Sequence, residues 1–106
     1  ESLQSIAYGQ GLFVAAGDSG LVMTSPDSSS WTILRVGENS PFWLHVVFCQ
    51  DRFALSGTPG KVAYSIDGTQ WEVQNTATDH FLYGITCSPA GDVVVGDFGT
   101  ILQSSA

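Results

Sequence analysis

An internal repeat of forty residues constrains this chain more than any other feature of its sequence. Residues 11–27 are followed by Trp31, and the matching residues 51–67 are followed by Trp71. A third copy follows at a shift of 39, so that Gly96 matches Gly57, and it ends before it reaches a tryptophan of its own. Self-similarity at a period of about 20–50 residues is typical of solenoids and propellers, in which each unit buries its apolar face against its neighbours.

The matched residues are those that set turns and strand ends. They are Phe13 with Phe53, Gly17 with Gly57, Gly20 with Gly60, Ser25 with Ser65, Asp27 with Asp67 and Trp31 with Trp71. Strand-forming residues lie between these turn signals, and the Gly-x-x-Gly spacing suits a tight hairpin because glycine reaches positive φ at little cost. The strands predicted by this pattern are 4–9, 12–17, 20–25 and 31–36; 44–49, 52–57, 60–65 and 71–75; and 82–87, 92–96 and 99–104.

Composition fits a single globular, all-β domain and argues against several partners. The chain is 43% hydrophobic and 11% aromatic, and the repeat divides residues 1–106 into units of about 1–40, 41–80 and an incomplete 81–106. Three basic residues stand against ten acidic ones, for a net charge of -7. Nucleic acid and anionic membranes recruit clustered Lys and Arg, so we expect neither as a partner. We also expect no membrane insertion, because no apolar run approaches the roughly 20 residues of a spanning helix.

Two corner motifs carry a resemblance to a known repeat. Residues 25–31 and 65–71 resemble the Asp-box of sialidases and related β-propellers, written S-x-D-x-G-x-T-W. The first motif has Ser29 where that pattern has glycine. In such a corner the Asp accepts backbone N–H groups, the Ser caps the turn and the Trp folds back over it. We therefore expect structural roles for Ser25, Asp27, Trp31, Ser65, Asp67 and Trp71.

The resemblance implies a β-propeller built from four-stranded blades, with about 2.7 blades in this chain. The longer pattern G-x-F-V-A-x-G-x-x-G before an Asp-box is also similar to repeats of a photosystem II assembly factor and of bacterial surface propellers. Those relatives are binding proteins, which implies a binding module acting as an interaction or assembly scaffold. The resemblance alone favours an extracellular, periplasmic or lumenal location.

The sequence argues against catalysis and against a cofactor. Sialidase-type chemistry, as the resemblance implies it, needs an arginine cluster beside a tyrosine nucleophile and a glutamate. The only arginines, Arg35 and Arg52, belong to different repeats. His45 and His80 occupy non-equivalent positions, His80 aligning with Pro41, and neither brings a third metal ligand. We therefore expect no catalytic residues, no metal site and no cofactor.

The connections between repeats are the most suitable place for a ligand. Sugar-binding sites combine an aromatic ring with carboxamide or carboxylate groups, and both residue types occur in residues 37–43 and 75–81. An alternative is that these aromatic residues pack between neighbouring units. The candidate binding residues are Asn39, Phe42, Trp43, Asp79, His80, Phe81 and Asp97.

Fewer than three blades cannot close a ring, since propellers have about four to eight. We expect self-association to complete it, with a six-bladed dimer ranked first and a protein or a glycan as the ligand. The competing interpretation is that the chain is a fragment or an engineered piece of a larger propeller, because it begins at Glu1 rather than at Met. Cys49 and Cys87 lie in apolar strand segments, where we expect buried free thiols that leave the redox compartment open.

Overall fold

The computed structural model describes residues 2–37, 41–49, 51–76, 80–88 and 91–104. These residues form eleven β-strands in three antiparallel sheets, which confirms the all-β prediction. Sheet 1 consists of β1 (Leu3–Gly9), β2 (Leu12–Gly17), β3 (Leu21–Ser25) and β4 (Thr32–Arg35). Sheet 2 consists of β5 (Phe42–Cys49), β6 (Arg52–Thr58), β7 (Lys61–Ser65) and β8 (Glu72–Asn75). Sheet 3 consists of β9 (Leu82–Ser88), β10 (Gly91–Gly96) and β11 (Ile101–Ser104).

Each predicted strand is present, and its ends differ from the prediction by no more than two residues. The strands of each sheet follow one another in chain order, as successive antiparallel hairpins. Within the described ranges the three sheets do not close into a barrel or a ring. One element that the repeat did not predict is a short 3-10 turn, Asp97–Gly99, which joins β10 to β11.

Strand register repeats from sheet to sheet. Cross-strand pairs between the second and third strands are Ala16 with Val22, Ser56 with Val62, and Val95 with Ile101. The repeat therefore fixes pairing as well as strand position, and a residue in one sheet can be compared directly with its equivalents in the others. Since register decides which face a side chain takes, equivalent residues face equivalent sides of their sheets.

The core lies between consecutive sheets, whose first strands β1, β5 and β9 are neighbours. The first interface, between sheets 1 and 2, buries Val14, Val22, Trp43, Phe53 and Leu55 among its core residues. The second interface, between sheets 2 and 3, has a smaller core that includes Leu82, Ile85 and Val94. Fully burying one such side chain contributes about 1.5–3 kcal/mol, so side-by-side sheet packing is the main stabilising interaction.

A repeated backbone link joins consecutive sheets at the glycine directly before the third strand. The Gly20 N–H donates to the Pro41 carbonyl (2.6 Å) at the start of sheet 2. Gly60 repeats the link with the His80 carbonyl at 2.9 Å. Both glycines have positive φ, +71° and +55°, which explains why the repeat keeps glycine at this position.

The prediction of free thiols was wrong. Cys49 at the end of β5 and Cys87 near the end of β9 form a disulfide, with their Cα atoms 6.3 Å apart. Both side chains are half-buried and face each other across the second interface. The bond therefore ties sheet 3 covalently to sheet 2.

Candidate functional site

The first corner motif, residues 25–31, is a self-contained hydrogen-bonded turn. The Asp27 carboxylate accepts the backbone N–H groups of Ser29 and Ser30, each at 2.9 Å. The Ser25 hydroxyl donates to the same carboxylate at 3.1 Å. The Trp31 indole N–H folds back onto the carbonyl three residues earlier, at 3.2 Å. These contacts pair the polar groups of the corner with one another. They also lower the pKa of Asp27, chiefly through the two backbone N–H donors.

The second corner motif, residues 65–71, repeats this turn between β7 and β8. The Asp67 carboxylate accepts from the N–H groups of Thr69 and Gln70, both at 3.0 Å, and these bonds lower its pKa to about 2. The Ser65 hydroxyl donates to Asp67, and the Trp71 indole N–H donates to the Gly68 carbonyl at 3.0 Å. The local contacts are those expected for a structural turn.

The left-handed residue of each corner directly follows the aspartate. Ser28 has φ +67° and Gly68 has φ +81°. The family pattern that these motifs resemble has its glycine at the position of Ser29, whereas the residue with positive φ is Ser28, one position earlier. Gly68 also lies against Leu12 of the neighbouring sheet, so the second corner takes part in the first interface.

Three of the predicted ligand residues come together at one end of sheet 3. The His80 Nδ1 lies 2.8 Å from the Thr100 hydroxyl and 3.9 Å from the Asp97 carboxylate. The Phe81 carbonyl accepts the Asp97 N–H at 3.1 Å. The exposed ring of Phe98, which the sequence did not single out, lies 5.0 Å from the imidazole. His80, Asp97 and Thr100 thus form a polar cluster, which is flanked by the exposed rings of Phe81 and Phe98.

The other candidates do not join this group. Trp43 is fully buried in the first interface, where its indole N–H donates to the Val36 carbonyl at 3.1 Å, and this favours the packing interpretation. Phe42 is about half exposed at the start of sheet 2. Asn39 and Asp79 lie outside the described residues.

A buried charged cluster in the second interface was missed by the sequence analysis. The Arg52 Nη2 lies 2.6 Å from the Asp92 Oδ2, and Asp92 is only 2% exposed. The guanidinium carbon stands 4.2 Å from the centre of the Tyr64 ring. Burial, followed by the nearby Asp92 carboxylate, raises the pKa of Tyr64. The sequence contains a signal for this pair, because Arg52 and Asp92 are one repeat apart and therefore lie on neighbouring sheets.

The two arginines act separately. Arg52 serves the second interface, whereas the Arg35 guanidinium donates to the Ser19 carbonyl in sheet 1 at 3.2 Å. In the described part of the chain, no three His, Cys, Asp or Glu residues are grouped closely enough to hold a metal ion. Nor do the described residues contain a helix with the length and apolarity to cross a membrane.

The outer side of each end sheet exposes apolar residues. On sheet 1 we call this the leading face, and its exposed side chains are Leu3, Ile6, Tyr8, Trp31 and Ile33. On sheet 3 we call it the trailing face, represented by Val95 (44% exposed) and Ile101 (71% exposed). Exposed apolar patches of this kind mark interaction surfaces.

No protein-family model matches this chain, and a search of curated proteins gave no match.

Proposed function

We propose that this chain is a non-enzymatic binding module, an Asp-box β-propeller whose ring is completed by association between copies, with a dimer ranked first. The observation that carries the proposal is the leading face. Its residues Leu3, Ile6 and Tyr8 are the repeat equivalents of Trp43, Val46 and Phe48, which pack into the first interface. Sheet 1 therefore presents to solvent the same surface that sheet 2 buries.

The trailing face supports the same conclusion from the other end. Val95 and Ile101 pair across strands as Ala16 and Val22 do, and the latter two are 0% exposed beneath sheet 2. A trailing face docked on a leading face would reproduce the first interface between copies. Head-to-tail contacts that close give cyclic symmetry, and an obligate interface buries about 2,000 Å² or more.

Light scattering behind a sizing column, at several concentrations, tests this assembly. We expect a closed species of defined mass for the wild type and dissociation for the double variant Ile6→Asp/Ile33→Asp, which charges the leading face. Thr32→Asp is the matched control, because Thr32 is exposed on β4 next to Ile33 and points to the opposite side of the strand. A folded wild-type monomer at all concentrations would overturn the proposal.

A glycan is a second candidate ligand, favoured by the grouping of His80, Phe81 and Asp97 at one end of sheet 3. A ring beside hydrogen-bonding groups suits the apolar face and hydroxyls of a sugar. A glycan array with assembled protein tests it. Binding that is lost in Phe81→Ala but kept in Phe42→Ala supports this site, whereas an array without signal removes it.

A further inference from the structure

The turn between β10 and β11 carries a phenylalanine where the equivalent turns carry smaller residues. Phe98 occupies the position of Ser19 in sheet 1 and of Pro59 in sheet 2, and its ring is 87% exposed. Its backbone is left-handed, with φ 57° and ψ 30°, a conformation that a bulky residue rarely adopts. The ring belongs to neither core cluster, so packing does not account for this strain. Strained residues of this kind cluster at ligand sites.

The positions of the two aromatic rings stay open to solvent in a sheet that has neighbours on both sides. Sheet 2 lies between the other two sheets, because its first strand β5 contacts both β1 and β9. Pro59 is nevertheless exposed, and so is half of Phe42, the equivalent of Phe81. A neighbouring sheet therefore does not cover the places where Phe81 and Phe98 stand.

Asp97, directly before Phe98, has a carboxylate without the donor that its equivalent has. In sheet 1 the equivalent Asp18 accepts the Ser2 N–H at 2.8 Å. In the described part of the chain, the buried Oδ1 of Asp97 has no hydrogen-bond partner, although the side chain as a whole is 31% exposed. A cationic group that approaches the exposed part of this side chain is stabilised by the charge of the carboxylate.

His80 lies beside this carboxylate but does not donate to it. The Thr100 hydroxyl donates its one hydrogen to the Asp97 carbonyl at 2.7 Å. Toward the His80 Nδ1, at 2.8 Å, that hydroxyl can only accept, so this nitrogen carries a hydrogen that points to Thr100. The Asp97 Oδ1 is 3.9 Å from the same nitrogen, which is beyond hydrogen-bond distance. The imidazole therefore holds the turn in place and contacts the ring of Phe98.

We propose that this turn binds a glycan that contains amino sugars with free amines. The apolar face of one sugar ring stacks on Phe98, and its protonated amine pairs with the Asp97 carboxylate. The inference rests on the glycan-binding role proposed above and names the class of glycan. The net charge of -7 favours a cationic ligand, and the face of an aromatic ring attracts cations. A neutral glycan supplies no cation to the carboxylate, and an acidic glycan is repelled by it.

Isothermal titration with three trisaccharides of one backbone tests the role of the amine. Trimers of glucosamine, of N-acetylglucosamine and of glucose differ only in the substituent beside the anomeric carbon. Near neutral pH we expect the glucosamine trimer to bind about tenfold more tightly than the other two, as one charge-assisted hydrogen bond allows. The advantage should disappear at about pH 9, because an amine with a pKa near that of an α-amino group, about 8, is then neutral. Equal affinities near neutral pH would overturn the inference and leave the glycan-binding role standing, whereas no binding of any trimer would remove both.

Matched variants test where the amine binds. Asp97→Asn should lower the affinity for the glucosamine trimer to that for the glucose trimer. Asp18→Asn removes the same charge from the equivalent turn of sheet 1, keeps an acceptor for the Ser2 N–H, and should leave all affinities unchanged. Phe98→Ala should weaken the binding of all three trimers, because each stacks through the same sugar face. Selectivity for the amine that survives in Asp97→Asn, or full competition by acetyl-lysine amide, which has an amine but no sugar ring, contradicts an amino-sugar site.

Discussion

The two interfaces between sheets are built from equivalent positions but use different chemistry. In the first interface, the ring of Phe48 lies over Gly9, where a Cβ atom would clash with it. In the second, the equivalents of these two residues are Cys49 and Cys87, which are joined as a disulfide. In the first interface this place is taken by a glycine covered by an aromatic ring. In the second interface it is taken by a disulfide.

A second pair of positions shows the same contrast. Leu12 and Phe53 belong to the apolar cluster of the first interface. Their equivalents in the second interface are Arg52 and Asp92, an ion pair at 2.6 Å. The ring of Tyr64 lies against the guanidinium of Arg52. The residue of sheet 1 that is equivalent to Tyr64 is Thr24.

This difference shows what the repeat specifies and what it leaves free. Strand register and the glycine link are the same in both full copies, so they do not depend on how each interface is filled. Among the described residues, the clusters have nine buried hydrophobic members in the first interface and five in the second. The disulfide and the ion pair add stability to the interface that has the smaller apolar core.

The largest expected effect comes from removing the disulfide. The cysteines are 38 residues apart, and closing a loop of that length stabilises a fold by about 4 kcal/mol in the chain-entropy model. We expect Cys49→Ser/Cys87→Ser to lose a free energy of unfolding of that order, measured by urea denaturation. Native-state hydrogen exchange should show the largest loss of protection in sheet 3, which the bond ties to sheet 2.

Reduction of the wild type provides the control for this prediction. A reducing agent should reproduce the effect of the double variant and should leave that variant unchanged. The wild type and the double variant could instead unfold at the same denaturant concentration, with and without reductant. In that case the stability of the second interface does not depend on the disulfide.

The next effect concerns the ion pair. Arg52→Leu leaves the buried Asp92 carboxylate without its cation, and we expect a loss of about 3 kcal/mol. The double variant Arg52→Leu/Asp92→Phe copies the residues of the first interface, and we expect it to be neutral or more stable than the wild type. Thermal unfolding of the three proteins provides the measurement. A double variant that is less stable than the single variant would show that the second interface cannot accommodate apolar packing.

Sequence reasoning worked well where a local pattern determines the structure. The Gly-x-x-Gly hairpins and the two corner motifs depend on residues close in the chain, and each strand end was predicted within two residues. The sequence allows Trp43 either to pack between units or to bind a ligand. Only the packing of sheet 2 on sheet 1 distinguishes these alternatives, since it buries the side chain.

What the sequence analysis missed are contacts between units. Cys49 and Cys87, like Arg52 and Asp92, are separated by nearly one repeat, which places them on neighbouring sheets. Applying the repeat spacing to each Cys and each charged residue would have suggested both pairs. The grouping of His80 with Asp97 and Phe98 could not be predicted in this way, because it depends on the 3-10 turn that joins β10 to β11.

A smaller effect is expected from the two corner motifs, which differ at their left-handed residue. Gly68→Ser places a side chain at φ +81° and against Leu12, and we expect a loss of about 2 kcal/mol. The reciprocal Ser28→Gly relieves a left-handed serine that is exposed, and we expect a gain of less than about 1 kcal/mol. Thermal unfolding measures both. Equal and opposite effects would indicate that backbone conformation alone, and not contact with sheet 1, sets the cost at Gly68.

The smallest effect is the pH dependence of these corners. The folded-state pKa of Asp67 is about 2, below its ordinary value of 3.8, because Gln70 and Thr69 donate backbone N–H groups to the ionised carboxylate. A carboxyl whose pKa is lowered on folding stabilises the fold above its unfolded pKa, and this contribution is lost as the pH falls towards the folded pKa. The contribution of Asp67 should therefore disappear between about pH 4 and pH 2. The denaturation midpoint of Asp67→Asn should fall less than that of the wild type across this window, with a smaller difference for Asp27→Asn. If the denaturation midpoints of Asp67→Asn and of the wild type change in parallel with pH, folding does not lower the pKa of Asp67.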